Sequence, residues 1–438
     1  MSKVAVLRTS PETVVQDYAR LMDLAGYRQA LPFDKQTCLR INISWHVYMP
    51  ACSTTPWQMH GVIDKLAKDG YDVARDLIAA QNDTVVVSCR EGTVTNHLGP
   101  VLDRYHVPIQ YLSEPPTEWI RYEPKGKMLV LDKVFEKQGI QIPKLLMGKN
   151  VIHLPTVKTH VFTGTTGAMK NAFGGLLNLN RHWTHSVIHE TLVDLLRIQK
   201  EIHPGVFAVM DGTIAGEGPG PRAMRPHVKN YILASNDMVA IDSIAAKMMG
   251  FDPMTDLKFI RLGHESGLGV GRPEEIEIVG DDIKGVNFGF RGSLNEDTFA
   301  SWGQKLIYWG PLKPLENMLL RTADRAVELL RVAAVPRRLL VSDQGPRPGR
   351  GDLEDRLGLA VQCLRQRRGV VEGVAADENR TAPRRVSHGA VSFLARRQAV
   401  ALLPCAPSDR STAEASRPAP MRRGPRPLRG GTSPMRGR

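Results

Sequence analysis

The sequence predicts an α/β fold with a mainly parallel sheet and helices on both faces. Short apolar, β-branched segments alternate along the chain with longer segments whose apolar residues recur at helical spacing. Such alternation is typical of parallel sheets, because the crossover between two neighbouring parallel strands usually contains a helix. At 438 residues, the chain is long enough for one large or two ordinary domains.

The N-terminal half of the predicted fold alternates strands with helices. Apolar or alternating segments predict strands over 4–7, 39–44 and 84–88. Helical spacing predicts helices over 13–25 and 54–70. The second helix begins with the sequence Thr-Thr-Pro, in which a capping residue precedes an early proline.

The second half continues the same alternation up to about residue 290. The predicted elements are strands over 151–154, 206–210, 231–234 and 276–279, and helices over 184–202 and 237–250. Asp237 is expected to cap the last helix, and Gly250 to end it. We therefore predict one α/β domain over residues 1–290.

The remaining residues differ from this domain in composition. Residues 291–335 are predicted to form a helical appendage, with Trp302, Tyr308 and Trp309 as packing anchors. Residues 336–438 hold 21 arginines, no lysine and 9 acidic residues, so nearly all of the net charge of +13 lies there. Because this Arg/Pro/Gly-rich composition buries too little apolar area to offset ordering entropy, we predict a disordered basic tail.

Two interpretations of the tail remain. A basic arm could contact nucleic acid or anionic lipid. Alternatively, Arg, Pro, Gly and Ala without Lys is what a GC-rich gene yields when it is translated in a shifted reading frame. We favour the second interpretation because Phe393 is the tail's single aromatic residue, and nucleic-acid modules interleave aromatic residues with basic charge.

The cysteines indicate which metal cofactors to expect, and the N-terminal segment indicates the location of the protein. The chain has five cysteines, none of them in a C-x2-C pair: Cys38, Cys52, Cys89, Cys363 and Cys405. We therefore expect reduced thiols, with neither an iron–sulfur cluster nor a structural zinc held by cysteines. The N-terminus lacks the apolar region of a signal peptide, and no segment is apolar for long enough to cross a bilayer. We expect a cytoplasmic protein without membrane contact.

The segment after the strand predicted over 151–154 is the main candidate for a functional site. It is rich in Gly, Thr and Lys, as loops that bind anions often are. Functional groups of open α/β sheets gather beyond the carboxyl ends of strands, and a helix starting at Gly167 would add free N–H groups. We expect Lys158 and Lys170 to hold a phosphate or carboxylate; the alternative is a surface turn with two solvated lysines.

Three histidines, His182, His185 and His189, lie around the start of the next predicted helix. His185 and His189 are four residues apart and share one helix face, a spacing that can place two imidazoles on one metal ion. His160 or Asp211 would complete the shell around a divalent metal. The alternative is that one histidine caps the helix while another packs in the core.

Asp211 follows a predicted strand and precedes a glycine- and proline-rich loop that is predicted to run to residue 226. Its carboxylate could act as a general base, bind a cation or accept a hydrogen bond from a substrate hydroxyl. Gly218 and Gly220 would allow the backbone to approach a ligand closely. Asp242, in the next helix, is expected to point toward the sheet edge, with a helix-surface carboxylate as the alternative.

Several sequence blocks, taken in order, resemble the family catalogued as domain of unknown function 362. The resemblance spans about residues 1–285 and rests on Ile41-Asn42, Thr54-Thr-Pro56, Leu154-Pro-Thr-Val-Lys-Thr-His160, Thr163-Gly-Thr-Thr-Gly-Ala-Met-Lys-Asn-Ala-Phe-Gly174, Asp211-Gly-Thr-Ile-Ala-Gly-Glu-Gly-Pro-Gly-Pro221, Ala234-Ser-Asn-Asp-Met-Val-Ala-Ile-Asp242, Gly267-Leu-Gly269 and Glu277-Ile-Val-Gly280. The resemblance implies a shared site without an assigned reaction. Some members of the family carry a ferredoxin-like module, which makes an iron–sulfur protein a candidate partner.

These observations predict an enzyme that binds a small phosphorylated or carboxylated metabolite, with a divalent metal as a candidate cofactor. Lys158, His160 and Asp211 are the predicted catalytic residues, and His160 and Asp211 would be the acid–base or metal-holding pair. The predicted binding residues are Asn42, Thr163, Thr166, Lys170, Asn171, Gly218, Gly220 and Asp242. One alternative is an accessory protein of an iron–sulfur electron-transfer system, and the other is nucleic-acid binding through the basic tail.

Overall fold

The computed structural model describes residues 2–84, 87–222 and 224–291. The strands within these residues are β1 (Ser2–Arg8), β2 (Thr37–Ile41), β3 (Leu77–Gln81), β4 (Ile109–Tyr111), β5 (Trp119–Tyr122), β6 (Ile140–Pro143), β7 (Asn150–Leu154), β8 (Thr156–His160), β9 (Gly164–Thr166), β10 (Val206–Glu217), β11 (Arg225–Ser235) and β12 (Ile276–Gly280).

Helices connect most of these strands. They are α1 (Val14–Leu24), α2 (Tyr27–Ala30), α3 (Pro56–Lys68), α4 (Val73–Asp76), α5 (Cys89–Thr95), α6 (Gly99–Tyr105), α7 (Leu131–Val134), α8 (Ala168–Asn171), α9 (Ile188–Ile202), α10 (Met238–Met249) and α11 (Lys258–Glu265). Short 3-10 helices occupy Lys144–Leu146, Ala172–Gly174, Leu179–Val187 and Pro273–Glu275.

Local sequence explains where α3 and α10 begin. The Thr55 side chain accepts a hydrogen bond from the Gln58 N–H, and the Gln58 side chain accepts one from the Thr55 N–H, so a capping box precedes Pro56. Asp237 accepts from the N–H groups of Val239 and Ala240 at the start of α10, as predicted.

The strands form a mixed, mostly parallel sheet, which confirms the predicted fold class. Its order is β12-β1-β11-β10-β7-β2-β3-β4, and β8 and β9 extend it beside β10. Along that path, within the described residues, only β11 pairs antiparallel to its neighbours. β5 and β6 form a separate antiparallel pair.

Helices cover both faces of the sheet, as predicted. On β1, Val4 and Val6 join a core that includes apolar residues of α9 and α10. Ala5 and Leu7 of the same strand join a second core with residues of α1 and α3. The alternation of side chains along a strand therefore divides the interior between two helical layers.

Two regions of secondary structure differ from the prediction. Of the strand expected over 84–88, the described residues Thr84, Val87 and Ser88 lie outside any strand, and β3 ends before them at Gln81. The alanine-rich β3 was not predicted because its small residues lack β-branching, whereas its place between two parallel neighbours stabilises it.

The polar segments predicted as loops are mostly strands. Residues 156–166 form the β8–β9 hairpin, and β10 continues beyond Met210 to Glu217. Asp211 therefore lies inside a strand rather than at its end. The glycines of β10 are tolerated because β8 and β11 flank this extension and supply its hydrogen bonds.

The predicted appendage over 291–335 and the predicted tail over 336–438 lie outside the described residues, apart from residue 291. None of the helices within the described ranges combines the length and the apolar character needed to cross a bilayer.

Candidate functional site

Four parallel strands end at one edge of the sheet and place the site there. β2 and β7 end side by side, because their last residues, Ile41 and Leu154, are paired across the two strands. β3 and β4 do the same, with Gln81 paired to Tyr111. Asn42 follows β2 directly at this edge. Ligand sites of open α/β sheets are found beyond such carboxyl ends.

Lys158, in the β8–β9 hairpin, is fully buried at this edge. Its Nζ donates hydrogen bonds to Asn42 Oδ1 at 3.0 Å, to Ser44 Oγ at 2.9 Å and to the Cys52 carbonyl oxygen. Burial lowers the pKa of Lys158 to about 8. All three ammonium donors are used within the protein, so Lys158 contributes charge and holds its neighbours in place.

Asn171 joins α8 to the same edge. Its Oδ1 accepts a hydrogen bond from Asn42 Nδ2 at 3.3 Å, and its Nδ2 donates to the Arg40 carbonyl oxygen at 2.8 Å. The predicted binding residues Asn42 and Asn171 are thus linked to each other and to Lys158. This network sets the position of the adjacent Lys170.

Asp242 occupies the start of α8, where the sequence predicted free N–H groups for a ligand. Its carboxylate accepts from the Ala168 N–H at 2.6 Å and from the Met169 N–H at 3.0 Å. Burial raises the pKa of Asp242 to about 7. Because a protein carboxylate already takes these donors, the helix start is a structural contact rather than an anion site.

His160 is held in one tautomer by the hairpin. Its Nδ1 accepts from the Phe162 N–H at 3.1 Å and the Thr163 N–H at 3.4 Å, so the ring proton lies on Nε2. Burial, followed by the nearby charge of Lys170, keeps the pKa of His160 well below its usual value. His160 is therefore a neutral imidazole with Nε2–H as its donor.

Lys170 and Arg222 are partly buried cations close to this histidine. Within the described residues, neither side chain forms an ion pair, and the Lys170 ammonium lies 5.3 Å from the Phe173 ring centroid. Burial, followed by repulsion from Lys158, Arg181 and Arg222, lowers the pKa of Lys170 to about 7. We call Lys158, His160, Lys170 and Arg222 the basic cluster.

The predicted threonines shape the hairpin. Thr163 Oγ1 donates to the Thr165 carbonyl oxygen at 2.7 Å, and Thr166 Oγ1 donates to the Lys158 carbonyl oxygen at 3.5 Å. Both hydroxyl protons thus bond to backbone oxygens of the hairpin.

Gly218 and Gly220 lie against β8. Thr159 Oγ1 donates to the Gly218 carbonyl oxygen at 2.7 Å, and the Val161 N–H donates to the Gly220 carbonyl oxygen at 3.1 Å. A Cβ at Gly220 would lie 2.3 Å from the Thr159 carbonyl oxygen, so this approach requires glycine. The close contact brings the following Arg222 to the cluster.

Asp211 is separated from the basic cluster. It is fully buried, and its carboxylate accepts from Thr55 Oγ1 and from Thr213 N and Oγ1, the latter two at 2.7 Å each. Burial, followed by this carboxylate, raises the pKa of Tyr18 well above its usual value. Among the described residues, its hydrogen bonds come from Thr55 and Thr213 and not from His160, with which it was predicted to form an acid–base or metal-holding pair. Asp211 instead fixes the start of α3.

The histidines predicted to bind metal pack against aromatic rings. His185 Nδ1 lies 2.8 Å from the His182 carbonyl oxygen, and its ring makes edge contacts with Phe162 and Phe173. His189 stacks on Phe259 at 6.3 Å. Across residues 2–84, 87–222 and 224–291, no three His, Cys, Asp or Glu side chains are grouped to share a metal ion.

Ser44, Cys52 and Arg222 also lie at this site, although they were not predicted from the sequence. Ser44 and the Cys52 carbonyl are ordinary groups that only the fold brings to Lys158. Arg222 had a recognisable signal, because it lies within the glycine- and proline-rich loop whose Gly218 and Gly220 were expected to approach a ligand.

These features define an α/β protein with a basic cluster at the carboxyl edge of its parallel strands. Residues 38–247 match the family described as Domain of unknown function (DUF362), so the chain is similar to that family over these residues. The matched residues include every member of the basic cluster. The resemblance predicted from the sequence blocks is therefore confirmed.

Two further similarities are more limited. The chain is 31% identical over 112 residues to the thylakoid-associated protein sll1697 of Synechocystis sp.. These aligned residues make up 24% of this chain and 34% of that protein. The chain thus spans about a third of this relative's length. A crystal structure of a Thermotoga maritima protein is similar with a TM-score of 0.35 and 12% identity, over 59% of this chain and 60% of that one.

Proposed function

We propose that the protein binds a small phosphorylated or carboxylated metabolite at the basic cluster. The observation that carries this proposal is that Lys170 and Arg222 are partly buried beside Lys158 without a carboxylate partner within the described residues. Cations removed from water are costly unless an opposite charge compensates them. An anionic ligand would supply that charge.

The lowered pKa of Lys170 supports the same proposal. Repulsion from Lys158, Arg181 and Arg222 adds to burial in bringing this pKa to about 7. A bound anion would reverse that balance, because an opposite charge stabilises the ammonium form. Anion binding and protonation of Lys170 should therefore be coupled.

The chemistry available to such a ligand is proton transfer. A group with a pKa near the working pH serves best as an acid–base catalyst, and Lys170 meets that condition. His160 would instead donate a hydrogen bond from Nε2 as a neutral imidazole, polarising an oxygen of the ligand. In this proposal Lys170, which the bound anion keeps protonated, replaces Asp211 as the acid–base residue and acts as the acid.

Isothermal titration calorimetry with inorganic phosphate, sulfate and oxalate tests the binding step. Lys170→Gln and Arg222→Gln should each weaken binding at least about tenfold, since each removes a charge-assisted hydrogen bond. Lys200→Gln is the matched control, because Lys200 is exposed on α9. If all variants bind every anion as tightly as the unaltered protein, the basic cluster is not an anion site.

A further inference from the structure

A separate cavity of about 740 Å³ opens at the same sheet edge, beyond the ends of β3 and β4. We call it the amide cavity. Its walls include Asn82, which follows β3 directly, together with Leu112, Pro116, Trp119, Asn178 and Asn180. The volume lies within the range of small-molecule sites, about 300–1,000 Å³.

Three carboxamides line the amide cavity, those of Asn82, Asn178 and Asn180, together with Ser113, Thr117 and two glutamates. Asn82 is 1% exposed, and within the described residues its Oδ1 has no hydrogen-bond partner, while its Nδ2 donates to the Leu177 carbonyl oxygen at 3.4 Å. Asn178 Oδ1 accepts from the Asn180 N–H at 3.1 Å. An unpaired buried acceptor is costly, so Asn82 favours a ligand that brings a donor.

The cavity wall has no uncompensated charge. Its two acidic residues are paired outward, Glu114 with Arg90 at 2.5 Å and Glu118 with Lys144 at 2.8 Å. The part of a ligand that enters should therefore be neutral, because a charged group would lose water without gaining a partner.

The apolar part of the wall consists of Leu112, Pro115, Pro116 and Trp119. Trp119 is fixed by a hydrogen bond from its Nε1 to the Leu112 carbonyl oxygen at 3.2 Å, and Pro116 adds further apolar surface. A planar heterocycle has apolar faces for Trp119 and polar atoms only at its edge.

Arg181 connects the amide cavity with the basic cluster. It is 5% exposed, and its guanidinium donates to the Asn178 carbonyl oxygen at 3.2 Å and to the Asp83 carbonyl oxygen. Its charge also contributes to the lowered pKa of Lys170. The two sites are therefore neighbours along one edge of the sheet.

We propose that the amide cavity binds a nucleobase, with an N–H of the base donating to Asn82 Oδ1 and its face against Trp119. We further infer that a phosphate of the same ligand lies at the basic cluster, so that the ligand is a nucleotide. The first part stands alone, whereas the second rests on the function proposed above.

Calorimetric titrations with adenosine, guanosine, cytidine and uridine test the cavity without involving phosphate. At least one nucleoside should bind, and Trp119→Leu should weaken it roughly tenfold or more, as loss of base stacking does. Asn180→Ala, at a partly exposed position, is a second variant with less risk to folding. Asn287→Ala removes an amide elsewhere and should leave binding unchanged.

Calorimetric titrations with the corresponding nucleoside 5′-monophosphate and with ribose 5-phosphate test whether the same ligand also uses the basic cluster. The nucleotide should bind more tightly than either the nucleoside or ribose 5-phosphate, and Lys170→Gln should remove the gain over the nucleoside. If no nucleoside binds and the nucleotide equals ribose 5-phosphate, the cavity proposal is overturned while anion binding stands. If a nucleoside binds but phosphate adds nothing, the cavity proposal stands and the proposed function fails.

Discussion

The coupling between Lys170 protonation and anion binding gives the most direct test of the basic cluster. With a pKa of about 7, Lys170 is charged below neutral pH and loses its charge above it. An anion that contacts the ammonium binds mainly the protonated form. Affinity should therefore be highest below pH 7 and fall as the pH rises.

The size of the effect follows from the contact that Lys170 would make. A hydrogen bond to a charged group contributes about 1.5–3 kcal/mol. That range corresponds to a roughly 10- to 150-fold change in affinity. Above the pKa, affinity should fall by about tenfold per pH unit until it reaches the level of the Lys170→Gln variant.

Sulfate is the appropriate ligand for this measurement, because its charge is constant whereas a phosphate monoester titrates with a pKa of about 6. Calorimetry from about pH 6 to about pH 9 would compare the unaltered protein, Lys170→Gln and the control Lys200→Gln. Lys170→Gln should bind weakly at every pH. A fall in sulfate affinity that begins near pH 7 and persists unchanged in Lys170→Gln would refute the assignment to Lys170, because Lys158, with a pKa of about 8, loses its charge only at higher pH.

Three further predictions concern stability. Because burial raises the pKa of Asp242 to about 7, above its unfolded value, its ionisation destabilises the fold as pH rises. From about pH 4 to about pH 7, the free energy of unfolding of the unaltered protein relative to Asp242→Asn should fall by about 3 kcal/mol in urea titrations; a constant difference would contradict this. Gly167→Ala would place a Cβ 2.0 Å from Asp242 Oδ1, so thermal denaturation should show a loss of about 2 kcal/mol or more. Gly99→Ala, with open space around the new methyl, should be nearly neutral, and equal losses would argue against the contact. Asp194 accepts from the N–H groups of residues 129–131 at 2.7, 2.9 and 3.0 Å, so Asp194→Ala should cost about 3 kcal/mol or more and speed hydrogen exchange at those amides; unchanged exchange there would disprove this role.

Some secondary-structure elements could be predicted from the sequence, and others could not. The strand predicted over 4–7 and the helix that Asp237 caps were found because apolar spacing and capping chemistry are local properties. The β8–β9 hairpin was predicted as a loop because its Thr, Gly and Lys residues have no strand-like alternation of apolar groups. Its pairing depends on β10, which lies far along the chain.

The candidate site divides in the same way. Lys158, His160 and Lys170 were predicted from the concentration of polar residues after a buried strand, and the structure brings them together. Asp211 carries the same kind of signal, but hydrogen bonds from Thr55 and Thr213 hold it in a structural role. Sequence spacing does not distinguish a carboxylate that awaits a ligand from one that the protein already satisfies.

The amino-acid sequence by itself determined the fold class, the resemblance to a family and the segment that carries the lysines, because periodicity and motif order are encoded along the chain. The tertiary structure decided which charges remain without a partner. Asp242 accepts hydrogen bonds from the N–H groups of α8. Lys170 and Arg222, in contrast, lie beside Lys158 without a carboxylate partner among the described residues. The physical reason is that burial and pairing depend on side chains brought together by the sheet from distant parts of the chain, and those two quantities govern the charge and pKa of each group.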